Sequence, residues 1–118
     1  MTRIFVYGSL KRGFPLHGAL LGQQFLGASR TAPGFRLYDV GAFPAMTVDP
    51  DPDGCRMIDG EVYEVDDECL DDLDRIEGEG RLYERVEIEL EVGKAQAYLF
   101  LHDTSKLDDA GDCWELGR

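Results

Sequence analysis

Apolar and polar residues alternate at a spacing of two along most of this chain, and one segment switches to helical spacing. The clearest alternation sets Val86, Ile88, Leu90 and Val92 against Arg85, Glu87, Glu89 and Glu91, which predicts a strand with one buried and one wet face. A turn at Val92-Gly93 leads into 95–101, apolar on nearly both sides and therefore expected nearer the centre of its sheet. Segments 4–7, 24–31, 35–40, 44–48 and 57–65 also read as strands, with Pro33-Gly34 as a turn signal between two of them. Gly60, inside the last of these, marks a bulge or a close backbone approach. Segment 17–21 reads as a short helical piece. Segments 8–15 and 49–54 read as loops, and the tail to Arg118 as a loop with Trp114 folded back onto the core.

Helical spacing begins after Asp66 or Asp67, either of which can cap, and runs to about Glu77, where Gly78 supplies the stop. At roughly 100° per residue, Cys69, Leu70, Leu73 and Ile76 form one apolar stripe. Glu77 projects from that same stripe, while Asp71, Asp72, Asp74 and Arg75 lie on or near the opposite side. Many short strands and one substantial helix predict an α+β fold: a small mixed β-barrel or strongly curved sheet with flanking helices, formed by residues 1–118 as one domain.

An inward glutamate loses hydration, which raises its pKa, and the negative end of the helix dipole acts in the same direction. Both bring it toward the range useful to a general acid or base. The alternative is a solvated carboxylate on a fraying last turn, and the wheel alone prefers it. Near the start, Phe5-Val6-Tyr7-Gly8-Ser9-Leu10 reads as a strand breaking into a glycine loop. Its backbone N–H groups could hold a carboxylate or a developing oxyanion; an ordinary strand exit is the alternative. Gly8 and Gly13 make no P-loop, because Phe14-Pro15 stands where Lys-Ser/Thr is required. Ser9 lies in no G-x-S-x-G elbow.

Composition narrows the partners. At 118 residues, 43% hydrophobic and 10% aromatic, the chain can bury a core. Its 24 acidic against 12 basic residues give a net charge of −12, with no basic stripe for nucleic acid or anionic lipid. No apolar run approaches the roughly 18 residues of a membrane span, and no signal peptide is read at the start. Three cysteines, Cys55, Cys69 and Cys113, form no C-x-x-C pair, so a reduced, cytoplasmic protein is expected. His17 and His102 have no neighbours at metal-ligand spacing, and no metal is expected. Tyr83, Tyr98 and Trp114 read as core residues whose polar tips could also serve a pocket.

The loop Tyr7-Gly8-Ser9-Leu10-Lys11 after an opening strand resembles the substrate loop of the gamma-glutamylcyclotransferase-like family. Gly60-Glu61-Val62-Tyr63-Glu64-Val65, Leu73-Asp74-Arg75-Ile76-Glu77-Gly78 and Leu82-Tyr83-Glu84-Arg85 resemble its later blocks, in order, and the similarity runs from about residue 3 to residue 101. The compact length is like that of short microbial and gamma-glutamylamine-cleaving members. The resemblance implies a small mixed barrel with flanking helices. It also implies cofactor-independent cyclisation of a small gamma-glutamyl amine or peptide to 5-oxoproline, with release of an amine or amino acid. By the same likeness Glu77 is the acid/base, Tyr7, Gly8, Ser9 and Leu10 hold the glutamyl end, and Tyr83 lies near the pocket. Gly80 stands where many relatives have proline, so the adjoining loop is expected to differ. The competing readings are a non-catalytic small-molecule binding domain on the same fold, an acidic protein recruiting a basic partner, and a Ser9- or Cys-dependent hydrolase.

Overall fold

The computed structural model describes residues 1–49, 51, 53 and 55–114. Its central element is β1 (Thr2–Val6), which pairs antiparallel with β5 (Asp59–Val65) on one side and parallel with β7 (Gly93–Phe100) on the other. Outside these lie β2 (Gln24–Arg30) beside β5 and β6 (Tyr83–Leu90) beside β7, giving a five-stranded sheet in the order β2-β5-β1-β7-β6. A second sheet of three strands has β3 (Phe35–Asp39) between β4 (Pro44–Val48) and β8 (Asp108–Gly111). The one α-helix among the described residues, α1, spans Asp67–Glu77, and a 3-10 turn covers His17–Leu20.

Strand alternation separates two cores. Phe5 and Tyr7 turn toward the three-stranded sheet and pack with Leu37, Met46, Val62 and Ile88. Ile4 and Val6 turn the other way and pack with Tyr63, Val65, Tyr83 and Tyr98, together with Cys69 and Leu73 of α1. The layers are therefore helix, five-stranded sheet and three-stranded sheet. The central position expected for 95–101 is observed: Ala95 and Ala97 enter one core and Tyr98 the other. Gly60 is a close approach, because a Cβ there would lie 2.4 Å from the Val6 carbonyl oxygen and 2.6 Å from the Phe5 ring.

The α+β class holds, but several expectations are corrected. Among the described residues no closed barrel is found. The edge strands of the five-stranded sheet touch at one bridge, Thr31 to Leu90, where Ala32 N–H donates to Glu89 O and Glu91 N–H to Arg30 O, both at 3.0 Å. The one substantial helix and the short helical piece expected at 17–21 are both present among the described residues. Val92 does not continue the buried face of β6; it is exposed in the hairpin turn. The tail contains β8, whose residues Asp108 and Asp109 are poor strand formers and are recruited by pairing with β3. Trp114 is buried in the first core, as expected. Part of the 49–54 loop (50, 52 and 54) and the last residues (115–118) lie outside the described residues. No helix among the described residues is long and apolar enough to cross a membrane.

Candidate active site

The last turn of α1 faces a cavity instead of solid core. The helix starts where the Asp66 carboxylate accepts the Cys69 N–H at 2.8 Å, with Asp67 and Glu68 complementing the positive end of the dipole. It stops at Gly78, whose φ of 62° is a left-handed cap that glycine adopts without strain. Cys69 and Leu73 are buried, but Ile76 at the stripe's end is 43% exposed. Ile76 and Glu77 line a cavity of about 440 Å³.

Tyr7, Gly8, Ser9 and Leu10 line the same cavity, where β1 breaks into its loop, and so does Tyr83 at the start of β6. All six residues singled out from the sequence therefore meet at one site. The loop is a tight turn closed by Lys11 N–H on Gly8 O (3.0 Å) and Leu16 N–H on Ser9 O (2.9 Å). Among the described residues, the N–H groups of Gly8, Ser9 and Leu10 donate to no protein acceptor. Gly8 cannot carry a side chain in this packing, since a Cβ would fall 2.5 Å from the Pro44 ring. His17 braces the turn through Nδ1 and Leu10 O at 3.0 Å. Lys11 is buried and reaches away to Trp114 O at 2.7 Å, tying the loop to the C-terminal segment.

Electrostatics separate Glu77 from its neighbours. Burial pushes its pKa up to about 7, with no hydrogen bond or cation among the described residues holding the anion. The three tyrosines of the lining are raised as well, which takes them further from titrating near neutrality. Burial and the nearby Tyr83 and Glu77 push the Tyr7 hydroxyl well above its ordinary value. Burial, then Glu77, raises Tyr83, and burial, then the Asp74 hydrogen bond, raises Tyr98. Their hydroxyls are occupied: Tyr7 donates to Tyr98 O (2.5 Å), Tyr83 to Pro44 O (2.6 Å) and Tyr98 to Asp74 Oδ1 (2.6 Å). Tyr83 thus offers its ring rather than its hydroxyl. Of the titratable side chains that line the cavity, Glu77 alone is poised near neutrality.

The sequence did not disclose the rest of the wall, made by Ala42 and Phe43 before β4, by Pro44 at its start, and by Pro15 and Leu16. Pro44 next to an aromatic was the available signal, but its distance in sequence from Glu77 hides the contact. Asp74, read as facing water, holds Arg85 instead (Nε to Oδ1 2.8 Å, Nη2 to Oδ2 3.2 Å) as well as Tyr98, so the last turns of α1 are pinned to β6 and β7. Arg85 also bonds Gln96. His102 contacts Arg81 O at 2.8 Å and does not line the cavity. Gly80 has φ +85° and donates its N–H to Tyr83 O at 2.8 Å, two things a proline cannot do. No group of His, Cys, Asp and Glu among the described residues could hold a metal.

Fold and cavity define an α+β protein in which a buried carboxyl and a glycine loop line one cavity. The chain belongs to the family described as Gamma-glutamyl cyclotransferase, AIG2-like, which matches residues 4–116. It is 38% identical over 111 residues to a Vibrio cholerae protein provisionally named a gamma-glutamylcyclotransferase, covering 92% of each chain. It is 37% identical over 97 residues to the Rattus norvegicus gamma-glutamylaminecyclotransferase, covering 78% of this chain and 65% of that one. An uncharacterized protein of Pyrococcus horikoshii superposes with a TM-score of 0.76 at 34% identity, covering 95% of this chain and 89% of that chain.

Proposed function

We propose that this chain is a gamma-glutamyl cyclotransferase that converts a small gamma-glutamyl compound to 5-oxoproline and a free amine. Glu77 serves as general acid/base, and the loop of Tyr7, Gly8, Ser9 and Leu10 receives the glutamyl end. Glu77 takes a proton from the substrate's α-ammonium, and the freed amine attacks the γ-carbonyl of the same molecule. The new C–N bond closes a five-membered ring, and the carbonyl electrons move onto oxygen. The attacking nitrogen then gives up a second proton to solvent, from which the departing amine takes one up. As the tetrahedral centre collapses, the old C–N bond breaks and the departing nitrogen is protonated from Glu77. Two protons leave the α-nitrogen and two reach the released amine, so nothing is oxidised and no cofactor is required.

The attack is intramolecular, so the main task is to hold a reactive conformer. Loop N–H groups that have no protein acceptor suit the substrate's α-carboxylate or the carbonyl oxygen. The observation that carries this reading is a carboxyl raised to about 7 by burial in the same cavity as that loop. A proton acceptor half-ionised near neutrality can also return the proton, which an ordinary carboxylate does poorly. Family membership supports the reaction class, and it weighs against the non-catalytic binding domain.

Incubation with gamma-glutamyl amines and dipeptides, read by mass spectrometry for 5-oxoproline, tests the proposal. Wild type is expected to form product, and Glu77→Gln to lose roughly a hundredfold or more of the rate while staying folded. A folded wild type that releases no 5-oxoproline from any of these compounds would overturn it.

A further inference from the structure

Three tyrosines share the cavity with Glu77: Tyr7 at the end of β1, Tyr83 in β6 and Tyr98 in β7. The charge of Glu77 acts on all three hydroxyls. A buried carboxylate among hydroxyls ordinarily accepts their protons in hydrogen bonds, which hold it ionised. Each tyrosine has one proton to give, and here each gives it to another acceptor. Tyr7 donates to Tyr98 O, Tyr83 to Pro44 O, and Tyr98 to Asp74 Oδ1 at 2.6 Å. Two of these acceptors are backbone carbonyls. The third is a side chain, lying one helical turn before Glu77, and it also holds the Arg85 guanidinium at 2.8 and 3.2 Å. The other charged groups nearby are directed elsewhere. On α1, Arg75 pairs with Asp72, and beyond its end Glu79 accepts the Arg85 N–H at 3.3 Å. From the loop, Lys11 donates to Trp114 O, Arg12 lies over the Phe25 ring, and His17 bonds Leu10 O. Ala42, Phe43 and Pro44 bring no titratable side chain, and Arg81 lies outside the lining.

We propose that Asp74 is a positioning residue: by taking the Tyr98 hydroxyl proton and binding the Arg85 guanidinium, it keeps both donors off Glu77. The carboxyl is thereby left able to take up a proton and to return it. The inference rests on the cyclotransferase reading above for the use made of Glu77, while the arrangement itself is testable without substrate. Asp74 suits the task because Arg85 grips it with two nitrogens, and that pairing offsets the negative charge one turn from Glu77. Both side chains are largely sheltered, 24% and 25% exposed, so water competes little for either. A donor released onto Glu77 would favour its anion. The result is a weaker base, ionised at rest but pulling less strongly on the α-ammonium.

The test titrates Glu77 directly, by carbon NMR of its side-chain carboxyl in labelled protein, with the signal assigned by its loss in Glu77→Gln. The pH dependence of kcat/KM for 5-oxoproline formation is measured alongside. Asp74→Ala is expected to lower the Glu77 midpoint by roughly one to two pH units, the strength of a hydrogen bond to a charged group. The acid limb of kcat/KM should move down with it. Tyr98→Phe alone is expected to leave the midpoint in place, and added to Asp74→Ala to reverse roughly half or more of the change. Simple loosening of the helix would instead lower activity at every pH without moving the midpoint. An unmoved midpoint in Asp74→Ala would overturn the inference. So would a change that Tyr98→Phe does not reduce, which would assign it to the bare charge of Arg85. Where the alanine variant does not fold, Asp74→Ser carries the same comparison, its oxygen lying one bond nearer the backbone. A midpoint that falls as expected in a protein that makes no 5-oxoproline would overturn the cyclotransferase reading and leave this arrangement standing.

Discussion

Glu77 gives up water on folding and receives no hydrogen bond or cation from the described residues in exchange, so the fold favours its protonated form. The ordinary carboxyl value of 4.5 rises to about 7, and the sign of the consequence follows. The stability tied to this group is fully present below about 4.5 and is lost as pH rises through about 7. Glu77→Gln escapes that loss. Its stability relative to wild type is expected to grow between pH 5 and pH 8, by up to roughly 3 kcal/mol. Urea unfolding of both proteins at the two pH values measures it; an unchanged difference would mean that Glu77 titrates as an exposed carboxyl. The acid limb of kcat/KM should fall near the same value. A stripe of four apolar positions put Glu77 on the inward side, but the wheel alone preferred a solvated carboxylate, and only the family resemblance gave it an acid/base role. Its burial was not legible in the sequence, because the wheel places a side chain by direction and the cover is supplied by residues far along the chain, Phe43 and Pro44 among them.

At the scale of elements, α1 is the part that local signals specify best, with a capping aspartate, acidic first turn and glycine stop all in place. Asp66→Ala removes the acceptor for the Cys69 N–H, and Gln23 also bonds the Asp66 N–H, at 2.9 Å. The substitution is expected to cost about 1 kcal/mol, seen as a lower urea midpoint with an unchanged slope. Strands were legible where alternation was strict, as in β6, and where β-branched and aromatic residues dominated, as in β1. β8 was not, since two aspartates become a strand only when β3 offers them a ladder. The same limitation hid the role of Asp74. Seen along the helix it faces outward; seen across the sheet it meets Arg85 and Tyr98, which arrive from β6 and β7.

Over the whole molecule, layer order follows from which face each strand buries, but the pairing of β1 between β5 and β7 does not. Nothing in residues 2–6 states that their partners lie at 59–65 and 93–100. A fragment ending at Val92 lacks the parallel neighbour of β1 and the hairpin partner of β6. It is expected to unfold without a cooperative transition and to be cut rapidly under limited proteolysis. Sharp, wild-type-like unfolding of that fragment would show that the five-stranded sheet does not depend on β7.

This placement of β1 has a consequence for synthesis. The loop that follows it is made before β7, yet it takes its shape only after residues 93–100, and its tie to Trp114 later still. The site is therefore assembled only once residues 93–100 and Trp114 are in place, so that a copy cut before Gly93 is silent rather than weaker.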